Sequence, residues 1–192
     1  MTSEKKCDSI PIEQAEKEVK LASRRIALLH LAYARTLENK LGEEGLSLAA
    51  SAIKEYGRMI GEEVRDKVLE AGLSPIPENY GSGNSRSLPN MGMHQGVEES
   101  EEEGQKRIKA HGCEMAKVWA ERNEDKLGRL YCYVDPAKYM AYNPEFKLAH
   151  MKALPDGDDY CEFCIARTTE EERRAFESDS ADWLFIDDCD GE

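Results

Sequence analysis

Long apolar runs are what this 192-residue chain most clearly lacks. None approaches the roughly 18 residues a membrane-spanning helix needs, and the opening MTSEKKCDS is too polar for a secretory signal. Positive charge is also scarce: 26 Lys and Arg stand against 39 Asp and Glu, a net charge of −13. Nucleic-acid binding needs clustered cations, so the balance argues against it and equally against an anionic membrane surface. With only four histidines, no HxxxH, HExxH or paired CxxC framework of a metal site occurs. The six cysteines stand without a signal peptide or a tight disulfide framework, which suits a cytoplasmic protein with at least four of them as reduced thiols.

What is present suffices for a core. Hydrophobic residues make up 40% of the chain, while 34% charge implies much solvated surface. After a polar lead over 1–10, apolar positions from Ile12 through Val19, Ile26 and Tyr33 to Leu41 recur at spacings of three and four. They form one helical stripe, stopped at Gly42. A second stripe runs from Leu46 through Ile53, Ile60 and Val68 to Ala71, closed by Gly72. Two long helices with a short joint predict an antiparallel helical hairpin, a surface through which the chain could homo-oligomerise. Gly57 and Gly61 lie four apart in the second helix, where close backbone packing would offset their low helix propensity. His30, at the edge of the first stripe, reads as a structural histidine.

Residues 74–105 are punctuated by Pro and Gly and include the nearly all-acid run Glu98 to Glu103, expected as a solvated helix or flexible spacer. Its LPNMGMHQ portion could fold over a pocket and offer His94. RIKAHGC at 107–113 predicts a strand, followed by short helices over 114–122 and 126–134. Asp135-Pro136 would start another helix, with Asp135 as cap, ending before Asn143-Pro144. Lys147 to Leu154 and Tyr160 to Ala166 read as a β-hairpin around PDGDD. In the second strand an offset of three puts Cys161 and Cys164 on opposite faces, so CEFC is not a metal knuckle. The acidic segment 168–192 holds a helix capped by Thr168 or Thr169 and a tail, ADWLFIDDCDGE, whose apolar residues would dock on their own domain. The predicted fold is α+β: the helical hairpin packed on a small antiparallel sheet with short crossing helices, one domain over 11–167.

The succession Leu130-Tyr131-Cys132, Asp135, Tyr142-Asn143-Pro144, Gly157-Asp158 and Tyr160-Cys161-Glu162-Phe163 resembles the L-2-amino-thiazoline-4-carboxylic acid hydrolase family. Leu41-Gly42-Glu43-Glu44, Tyr56-Gly57 and Ile60-Gly61-Glu62 extend the likeness toward the N-terminus. The C-terminal Gly-Asp-x-x-Cys-x-Phe strand is similar, more weakly, to 4-vinyl-reductase-type ligand-binding domains, which implies a non-catalytic sensor as the alternative. The first resemblance implies a hydrolase that opens a small cyclic amidine-like ring by water addition, on a small-molecule substrate.

The residues themselves offer several chemistries. Cys113, at a strand-to-helix junction where helical N–H groups would lower its pKa, is the first candidate nucleophile. Asp135, His111 and Cys161 complete the candidate catalytic set, with proton transfer assigned to Asp135 or His111. Asn143, Tyr131, Arg129 and His94 are candidate substrate contacts. Cys113, Cys132, Cys161 and His150 could instead hold a divalent metal whose bound water attacks. An anionic substrate also needs a local cation, from Arg107, Lys109 or Arg129. Asp135 and Asn143 have plain structural readings beside these, as helix cap and turn former.

Overall fold

A computed structural model describes residues 9–82, 89–102, 105–178 and 182–189. The polar lead therefore lies almost wholly outside the described residues, as do Leu88 and Glu103. The fold is α+β: two long N-terminal helices are followed by a four-stranded antiparallel sheet and further helices.

Helix α1 (Ile12–Leu41) ends where Gly42 adopts a positive φ of 61°, and α2 (Glu43–Glu70) turns straight back. The hairpin buries Ala27, Leu31 and Ala34 of α1 and Ala49 of α2 against Val118, Trp119 and Leu127. His30 is buried there and bonds the Leu127 carbonyl through Nε2 at 2.8 Å, as a structural histidine should. Helices α3 (Glu114–Ala120), α4 (Asp125–Cys132) and α5 (Val134–Tyr142) pack on the hairpin. A Cβ on Gly61 would meet the Lys138 carbonyl and Ala141, and one on Gly57 would meet Ala137. The two glycines thus let α5 lie directly on α2, and α5 carries polar residues of the site.

Strands β1 (Gly96–Glu102), β2 (Gln105–His111), β3 (Phe146–Lys152) and β4 (Cys161–Arg167) are ordered β1-β2-β4-β3. The acidic run expected as helix or spacer is thus edge strand β1. Lys106 and Lys109 of β2 supply the counter-charges, at 2.9 Å from Glu99 and 3.3 Å from Glu102. An exposed edge rich in charge is also a strand that resists pairing with another chain. Asp135 is not the cap of α5. Tyr133 holds that position, and Asp135 sits in the first turn with its carboxylate on Lys138.

Helix α6 (Glu170–Glu177) starts on a capping box, Thr169 with Glu172. Glu172 also forms a buried ion pair with Lys147 of β3. The tail docks on its own chain: Trp183 and Ile186 are fully buried against Ala137, Met140 and Phe176. Its end is fastened by a Cys164–Cys189 disulfide, while Cys113, Cys132 and Cys161 are free and Cys7 lies outside the described residues.

Candidate active site

Strand alternation aims one set of side chains at the helices. Val97, Ile108, Ala110, Leu148, His150, Cys161 and Phe163 form the floor of a cavity of about 730 Å³. Tyr56, Ile60 and Val64 of α2, Asp135, Lys138 and Tyr139 of α5, and Met115, Trp119, Tyr131 and Cys132 form its walls. Cys164 lies on the other side of the sheet, buried with Ala149 and Cys189, so the two cysteines of CEFC do face opposite ways.

The walls are mostly apolar, with a charged cluster at one place. His150 is 3% exposed at its side chain, and its Nδ1 lies 3.0 Å from Asp187 Oδ1. That same oxygen accepts the His150 backbone N–H at 2.8 Å, while Arg129 Nη2 donates to Asp187 Oδ2 at 2.7 Å. On the cavity side His150 Nε2 is 3.6 Å from Asp135 Oδ2, and Asp135 Oδ1 accepts from Lys138. Phe163 packs on the imidazole with ring centroids 4.5 Å apart.

Electrostatics set the charges of the cluster. Burial pushes the Asp187 carboxyl up, but its hydrogen bond from His150 and the Arg129 charge hold its pKa below the usual range. Asp187 is therefore an ionised acceptor at neutral pH, and Nδ1 must carry the proton it accepts. Nε2 is left facing Asp135. Burial pushes the Lys138 amine down, yet the charge and hydrogen bond of Asp135 outweigh it, and its pKa is raised. Lys138 is thus a cation in the cavity wall. Burial lowers the pKa of His94, against the pull of Asp135, which favours its neutral form.

The thiols behave differently from the expectation for Cys113. Its sulfur does accept from the Ala116 and Met115 N–H groups, which lowers the pKa, but desolvation is larger and the net shift is upward. Burial likewise raises Cys132 well above the ordinary thiol and Cys161 to about 11. All three line the cavity as protonated thiols. Among the described residues no group of three or more His, Cys, Asp or Glu is arranged to hold a metal ion.

Of the residues singled out in the sequence, Cys113, Cys132, Cys161, Asp135, Tyr131, His94 and His150 meet in this cavity. Three others do not. His111 faces Glu98 and the Tyr160 ring. Asn143 donates to the Pro75 carbonyl and accepts from Glu145 N, as a turn former. Arg129 stands behind Asp187, tied also to Asp156 at 2.8 Å. The other two expected cations are elsewhere as well: Arg107 is buried against Met151, and Lys109 pairs with Glu102 and Glu162. Lys138 takes their place; lying one turn after Asp135, it could have been read as an i,i+3 partner. Asp187 was signalled by nothing local.

The depressed pKa of Asp187 links tail docking to pH. Its stabilising contribution is present at neutral pH and is lost as pH falls below the ordinary carboxylate range, about 4, toward the folded value. Acid titration of a Trp119→Phe variant is expected to expose Trp183, seen as a red shift of emission, and Asp187→Asn should abolish that step.

Helices close one face of an antiparallel sheet over an apolar cavity whose wall carries an acid–imidazole cluster, and this is the α+β architecture of the chain. The model of the L-2-amino-thiazoline-4-carboxylic acid hydrolase family matches residues 22–165, and the chain belongs to that family. No curated protein and no solved structure matches it.

Proposed function

We propose that the protein hydrolyses a small cyclic amidine bearing a carboxylate, of the 2-amino-thiazoline-4-carboxylate type, with His150 as general base. The observation that supports this most is the juxtaposition of His150 Nε2, Asp135 and Lys138 on one stretch of cavity wall. Such a substrate carries a cationic amidine at one end and a carboxylate at the other. The Asp135–Lys138 pair is complementary to both, with Asp135 receiving the amidinium and Lys138 the carboxylate.

Water held by His150 Nε2 gives up a proton and adds to the amidine carbon, forming the new C–O bond. Collapse of the tetrahedral intermediate breaks the C–S bond. The imidazolium proton goes to the departing sulfur and the intermediate's hydroxyl proton is released to solvent as the carbonyl forms, leaving a thiol and a carbamoyl group. Asp135 holds the amidine in its protonated form, which makes the ring carbon electrophilic enough for the water to add. The raised pKa values of Cys113, Cys132 and Cys161 disfavour a thiolate nucleophile, because the protonated thiol does not attack. These sulfurs instead keep the cavity poorly solvated, which strengthens the charged contacts. Tyr80, His94 and Trp119, also in the wall, each hold a buried polar atom with no hydrogen-bond partner among the described residues, and so supply further contacts for a heterocycle.

Thiol release from a panel of 2-amino-thiazolines tests the reading. Lys138→Met is expected to raise KM for the carboxylate by about 10–100-fold, the loss of one charge-assisted contact of roughly 1.5–3 kcal/mol, while a decarboxylated analogue is little affected. Equal effects on both substrates would remove Lys138 from carboxylate recognition.

A further inference from the structure

The stretch matched by the family ends at residue 165, yet a carboxylate bonded to His150 comes from residue 187. We propose that Asp187 is a positioning residue for His150, delivered by a C-terminal strap, so that the site in this chain is incomplete without its tail. The proposal rests on the hydrolase reading for its kinetic consequence.

The strap is a built element. β3 is an edge strand, and its pairing with β4 is irregular between His150 and Lys152, so the outward N–H of His150 needs a partner from elsewhere. Asp187 meets that N–H and the ring of the same residue with one oxygen, and its other oxygen takes Arg129. On one side of Asp187, Ile186 is fully buried; on the other, Cys189 is covalently joined to Cys164 beneath the sheet. The carboxylate is only 1% exposed at its side chain and is held from both directions along the chain. A tail that merely covered apolar surface would not need an ionised group bonded to both nitrogens on the near side of one histidine. The charged groups facing His150 are then Asp187 and, behind it, Arg129 from α4, with Asp135 from α5 across the cavity. A carboxylate bonded to Nδ1–H fixes both the tautomer and the ring plane, leaving Nε2 aimed at the cavity.

The test uses the full chain and two readouts. Nitrogen-15 NMR of the histidine rings should show His150 protonated at Nδ1 in the wild type and shifted toward the Nε2–H tautomer in Asp187→Asn, a change of equal size. The same variant should lose about 10²-fold or more in kcat with KM little changed, and Asp187→Glu should recover part of it. An unchanged His150 tautomer overturns the proposal, whatever the rates. A changed tautomer with no turnover by either protein upholds the positioning role and overturns the hydrolase reading instead. Should Asp187→Asn fail to fold, Ile186→Ala, which loosens the strap while leaving every charge in place, must show the same mixed tautomer.

Discussion

His150→Ala is expected to lower turnover by about 10²–10⁴-fold, the usual contribution of a positioned general base. The ring is buried, packs on Phe163, and reaches the cavity only through Nε2, so no neighbouring group can take over its proton. Asp135 is nearest, but Lys138 neutralises it and its place is on the amidinium. Removing the imidazole also leaves Asp187 with Arg129 as its main partner, which keeps that carboxylate compensated. The loss should therefore fall on kcat rather than on folding. His150→Gln separates the two further, since it fills much of the space and cannot accept a proton at neutral pH. Added imidazole should restore part of the rate to His150→Ala in a pH-dependent way, because the basic form is the one that acts. Steady-state rates with and without imidazole check this, and an alanine variant within about twofold of wild type would dismiss the general-base role, since that is far below the smallest such contribution.

The second large effect falls on stability. Cys164 and Cys189 close a loop with a sequence separation of 25, and the chain-entropy model assigns such a loop about 3.5 kcal/mol. Cys189→Ser is expected to lower the urea midpoint accordingly in oxidising buffer. Wild type in the presence of a phosphine reductant should approach the variant. The tail should suffer first: Trp183, buried against Phe176 and Met140, should become accessible to quencher before the sheet melts. Identical midpoints with and without reductant would mean that docking of Trp183 and Ile186 alone holds the strap.

Much of the frame was legible because it follows from local periodicity. The α1 stripe from Ile12 to Leu41 and the stop at Gly42 match the helix end for end. The β3–β4 hairpin is readable from turn chemistry, and cap chemistry narrows the start of α6 to Thr168 or Thr169, of which Thr169 is the cap. Strand β1 was not, because its run of acids is neutralised by Lys106 and Lys109, which lie on the partner strand and cannot be seen from within the run. In the cavity, Asp135, Cys113, Cys132 and Cys161 come together because element ends gather polar groups. Cys113 was misjudged in its chemistry: the helical N–H groups were foreseen, but the desolvation that outweighs them depends on how the walls close. Asp187 was invisible for a simpler reason. It lies 37 residues from His150, and only the turn of the tail around the β3 edge brings the two together.

Incubation with 2-amino-thiazoline-4-carboxylate in heavy-oxygen water, with mass spectrometry of both the small molecule and the intact protein, tests the central claim most directly. The account predicts a ring-opened carbamoyl thiol carrying one solvent oxygen, and a protein whose mass never changes during turnover. A substrate-sized adduct on Cys113, or a ligand bound in the cavity and released unopened, would contradict it.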